Sequence, residues 1–96
     1  MPIYITICKN TQRGAETIKE APQRLSAGAQ AIRKGGGRII GAYATLGQYD
    51  YIVITEFPDH QASWPVLIQT ATLGMTSAET MEAIPIEEFV QIVARI

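Results

Sequence analysis

Two runs of strand-forming residues, Arg38 to Leu46 and Tyr51 to Phe57, are separated only by Gly47-Gln48-Tyr49-Asp50. So short a connection leaves the chain one course: it reverses and pairs the two strands antiparallel. Gly47 supplies a backbone angle that other residues adopt only with strain, and Asp50 is placed to accept hydrogen bonds from nearby amides. The corner is expected to set the register of two central strands, and the rest of the chain must fold around that hairpin.

Ahead of it, Ile3-Tyr4-Ile5-Thr6-Ile7-Cys8 alternates strictly and is rich in β-branched residues, which predicts a strand. Ile3, Ile5 and Ile7 share one face; Tyr4, Thr6 and Cys8 share the other. Both are at least partly apolar, as in a sheet covered on both sides. Asn10 or Thr11 then caps a helix whose apolar stripe is Ile18, Pro22, Leu25, Ala29 and Ile32. Pro22 predicts a break near Ala21, and Gly35-Gly36-Gly37 ends the helix.

In the second strand, alternation groups Ile39, Gly41, Tyr43 and Thr45 on one face and Ile40, Ala42, Ala44 and Leu46 on the other. Pro58-Asp59 stops the third strand, and a second helix is expected from Asp59 to Leu73. Pro65 either occupies its first helical position or distorts its opening turn. Thr76 to Ile84 reads as a fourth strand. Pro85 opens a last helix with Glu87 and Glu88 in its first turn and Arg95 in its last, the order that suits the helix dipole.

The order β-α-β-β-α-β with a trailing helix predicts one ferredoxin-like α+β domain over residues 1–96. Two right-handed crossovers give a four-stranded antiparallel sheet with both main helices on one face. Tyr4, Thr6, Tyr43 and Thr45 are assigned to the other face, too apolar in company to stay in water. Since 47 % of the 96 residues are apolar, a body this small cannot hide them all, and a homodimer is the expected solution.

Several function classes fall away. The net charge of −1, with Lys and Arg scattered, argues against nucleic acid and against an anionic membrane surface. Cys8 and His60, alone of their kinds, cannot fill a zinc site of the usual Cys/His type, and no cofactor is expected. Lys34 and the three glycines follow a helix, whereas a phosphate loop precedes one. No apolar run approaches the roughly 20 residues that span a bilayer, and the first residues lack the pattern of a signal peptide, so a cytoplasmic protein is expected.

The segment from Leu46 to Ile54 resembles the GYD domain family of small uncharacterised proteins. Thr11 to Gly14, Pro22-Gln23-Arg24, Glu56-Phe57-Pro58-Asp59, Leu73-Gly74 with Thr80, and Pro85-Ile86-Glu87-Glu88-Phe89 also fit. The resemblance implies a ferredoxin-like protomer of the dimeric α+β barrel group. A similar turn occurs in the effector-binding domains of Lrp/AsnC-type regulators, but no residues are left here for their DNA-binding domain. The family supplies no catalytic residues to carry across.

The candidate site residues follow from chemistry. Tyr4, Thr6, Tyr43 and Thr45 offer hydroxyls among aliphatics, which suits either a small organic ligand or a tyrosine-rich dimer interface. Tyr49 and Asp50 would join them at a pocket or dimer rim, or serve the turn alone. His60 and Glu56, with Tyr43, are weak candidates for acid or base in a cofactor-independent isomerase or monooxygenase; solvated surface is the plainer reading of both. Cys8 reads as a small buried hydrophobe and Trp64 as a core or interface anchor. A small-molecule-binding homodimer leads, with that enzyme class and a purely structural interaction module as alternatives.

Overall fold

The computed structural model describes residues 1–71 and 74–96. The chain runs β1 (Ile3–Asn10), α1 (Gln12–Glu16), a 3-10 turn (Ile18–Glu20), α2 (Ala21–Lys34), β2 (Arg38–Ala44), β3 (Tyr51–Glu56), α3 (His60–Ala71), β4 (Thr76–Ala83) and α4 (Ile86–Ala94). The strands form one antiparallel sheet in the order β2-β3-β1-β4. This is the expected ferredoxin-like α+β arrangement, except that β2 lies at an edge rather than in the centre.

Local chemistry explains most boundaries. Thr11 caps α1, its Oγ1 accepting from the Gly14 amide at 3.1 Å. The first helix breaks where Pro22 forbids continuity: a 3-10 turn ends at Glu20 and α2 restarts at Ala21 with the proline in its first turn. Asp59 caps α3 through Oδ1, 2.9 Å from the Ala62 amide. Pro65 does not occupy the first helical position; it sits inside α3, which begins at His60. The expected end of that helix at Leu73 lies outside the described residues.

The faces are distributed differently from expectation. Directly paired residues of antiparallel strands share a face, so the register gives one row of Ile39, Thr55, Tyr4 and Glu82 and a parallel row of Ala42, Val53, Thr6 and Thr80. This is the side the helices cover. Ile5 with Ile54, and Ile7 with Ile52, lie on the other. A β-bulge between Ile39 and Gly41 inserts one residue and flips the phase of β2, so Tyr43 pairs with Ile52 and joins the outer face. Tyr4 and Tyr43, grouped by simple alternation, are on opposite sides of the sheet.

The fully packed core is small. Tyr4, Phe57 and Val66 are its centre, with Ile32, Ala62 and Leu67 against them. Phe57 is wholly buried and meets Tyr4 edge-on, with ring centroids 6.1 Å apart. All of this sits at one end of the sheet. Every residue from Ile84 to Ile96 is exposed, so α4 stands off the body.

Candidate functional site

The Gly47–Asp50 corner is a pinned structure. Gly47 has φ +108°, a value at which a side chain is strained. Asp50 holds the corner to its neighbours: its amide donates to the Cys8 carbonyl at 2.8 Å, and Oδ2 accepts from the Asn10 amide at 2.7 Å. Thr45 donates its amide to the Asp50 carbonyl and its hydroxyl to the Tyr49 carbonyl. Asp50→Ala should lower stability by about 1–3 kcal/mol, because a part-buried amide loses a charged acceptor. Asp50→Asn should lose less. Urea midpoints for the three proteins check this; identical midpoints would remove the carboxylate from the account.

On the helix side, Ser63 donates to the Tyr4 hydroxyl at 2.9 Å, and that hydroxyl lies 2.9 Å from His60 Nδ1. Ser63 is fully buried and Tyr4 nearly so, while His60 is exposed. Sequence reasoning passed over Ser63, since one serine in a helix carries no signal of a distant partner. Thr6 meets Thr80 hydroxyl to hydroxyl at 3.1 Å. Glu56 is committed to Arg38, with Oε1 3.0 Å from Nη2, on the outer face. His60, Glu56 and Tyr43 do not converge, so no shared acid–base centre forms from them. Among the described residues, no three His, Cys, Asp or Glu side chains gather as metal ligands would.

The six expected ligand residues thus fall into three groups. Tyr4 and Thr6 face the helices, Tyr43 belongs to the outer face, and Thr45, Tyr49 and Asp50 build the corner. The outer face and α4 are the larger feature. Ile3, Ile5, Ile7, Ile52 and Ile54 are only part-covered, and Tyr43, Phe89, Val90 and Val93 are exposed by 49 to 62 %. Total accessible surface is 6932 Å², whereas a folded monomer of this mass is expected to show about 5,400 Å². The radius of gyration is 14.6 Å, against about 12.5 Å for a compact domain of this length.

A family model described as "GYD domain" matches residues 4–93. The chain belongs to the GYD domain family. A relative from Thermus thermophilus, the "Glutamine synthetase and cystathionine beta-lyase binding protein", is 31 % identical over 91 residues, spanning 94 % of this chain and 96 % of that one. The crystal structure of TTHA0845 from the same organism superimposes on this GYD domain with TM-score 0.55 at 18 % identity, over 88 % of this chain and 95 % of that one. FFRP-DM1 superimposes with TM-score 0.54 at 21 % identity, over 88 % and 100 %. At such identities these structures speak for the fold alone. Among the described residues, no helix is long and apolar enough to cross a membrane.

Proposed function

We propose that this GYD domain is a self-associating binding module: a homodimer that docks other proteins and encloses a small organic molecule. The observation that carries the reading is the uncovered apolar surface, made of the outer sheet face and α4. Each copy exposes about 1,500 Å² more than a compact monomer of its mass, and an interface of ordinary size removes about 800 Å² per partner. The surplus is therefore large enough to supply what a stable dimer buries. With a net charge of only −1, two copies repel one another little.

The second part rests on the relative's name. Glutamine synthetase and cystathionine β-lyase are the partners to try first, and α3 offers a place for them. Trp64 and Ile68, one turn apart on α3, are 62 and 58 % exposed. They lie in the helix layer, so they stay outward when the sheet face is covered. Tryptophan is among the residues that most often dominate interface energies. Interferometry with the two enzymes from the chain's own source organism is the test. Binding of at least one, weakened tenfold or more in Trp64→Ala, is expected; no binding of either contradicts this half of the reading.

A small organic ligand is favoured by the loose packing of the helices over Thr6 and Cys8. Of the six residues, Tyr4 and Thr6 border that interior, Tyr43 lies on the face a second copy would meet, and Thr45, Tyr49 and Asp50 serve the corner.

A further inference from the structure

Beneath α2 the sheet is incompletely covered, leaving a chamber of about 360 Å³. Thr55, Thr6, Cys8 and Asn10 mark four successive rows along its floor. From the Tyr4–Thr55 pair to Asn10 is six residues along β1, or roughly 20 Å at the rise of a strand. The chamber opens toward the sheet edges, where Ala42, Ala78 and Thr80 are exposed or part-covered.

Two independent features point to an occupant. Thr55 is only 3 % exposed, yet its hydroxyl has no partner, and the buried Oδ1 of Asn10 has none either. A buried polar atom left unmatched is destabilising, and these two residues stand at opposite ends of the floor. The roof supplies the second feature. Gly28 lies mid-way along α2 over the chamber, with nothing within 4 Å of where a Cβ would be. Glycine inside a helix is destabilising relative to alanine, and no close approach demands it here.

Charge narrows the chemistry. Among the described lining residues the charged one is Arg24, and its guanidinium is spent on the carbonyls of Thr17 and Gly14 and on Glu20. We propose that the chamber binds an elongated, uncharged, mainly apolar molecule with a hydrogen-bonding group near each end, and that the side chains of Thr55 and Asn10, both in its lining, turn their shielded, unpartnered oxygens to meet those groups. This rests on the small-molecule part of the reading above and places the ligand inside each protomer rather than between copies. The size is adequate, since organic-ligand pockets begin near about 300 Å³.

The test uses the full chain and three probes: decanediol, decanol and decanoate. Titration calorimetry measures affinity, and alkylation of Cys8 by N-ethylmaleimide, read by intact mass, reports occupancy. Cys8 lines the chamber, and burial pushes its thiol pKa up, so labelling at neutral pH is slow and bound diol slows it further. Decanediol should bind more tightly than decanol, and decanoate most weakly. Thr55→Val removes an unmatched hydroxyl at nearly constant shape, so it should fold normally and weaken decanediol about tenfold. Gly28→Phe should fill the chamber and abolish both binding and Cys8 protection with an unchanged circular dichroism spectrum. Failure of all three probes to bind the unmodified chain overturns the proposal. So does equal binding by Gly28→Phe, which would move the ligand to another site and leave the broader reading standing. Association is scored separately, by mass.

Discussion

Phe57→Ala should lower the melting temperature by roughly 15–30 °C and leave little folded protein under mild denaturing conditions. The side chain is wholly buried, packs edge-on against Tyr4, and stands at the centre of a core with few other fully buried members. Truncating a buried phenylalanine costs about 3–5 kcal/mol through lost transfer energy and the cavity left behind. A domain of this length has only about 5–14 kcal/mol to lose, and each kcal/mol moves its midpoint by about 4–8 °C. The collapse of the site is limited by Gly37, whose backbone lies directly against the ring. Calorimetry at fixed protein concentration checks the shift; a midpoint moved by only a few degrees would mean that the core lies elsewhere.

The second large effect concerns association and leaves the protomer intact. Phe89→Glu with Val93→Glu places two charges on the exposed apolar stripe of α4. If a second copy covers that stripe, each change should cost about 2 kcal/mol or more of binding energy, and together they should raise the dissociation constant about a thousandfold. Neither side chain is buried within its own chain, so the circular dichroism spectrum should not change. The contrast with Phe57→Ala is the informative part. One substitution unfolds without regard to partners, and the other dissociates without unfolding. A doubly charged variant that stays associated would exclude α4 from the interface.

Much of the architecture is legible in local chemistry. Pro22 announces the break at Ala21, Asp59 the start of α3, and Gly47 the corner, because each rule acts within a few residues. The faces were not legible for two physical reasons. Both faces of β1 and β3 are apolar, so hydrophobicity alone cannot say which one the helices cover. The bulge at Ile39–Gly41 then moves Tyr43 to the side opposite Tyr4. A glycine inside a strand is the usual mark of such a bulge, and Gly41 was that signal.

The chamber was hidden for a related reason. The stripe Leu25, Ala29 and Ile32 identifies the buried side of α2 without saying how closely it approaches the sheet. Gly28, between those residues, is the hint that it does not approach closely. Ser63 and Thr55 matter only through partners, or missing partners, distant in sequence. Of the six hydroxyl and carboxylate positions singled out from the sequence, Asp50 has the clearest structural work, holding β1 to the corner.

The central functional claim is that a second copy covers the outer face and α4. Light scattering of the unmodified chain at micromolar concentration tests this most directly. The expected result is a mass of twice 10.5 kDa, independent of dilution across that range. A folded, stable species of 10.5 kDa would contradict it.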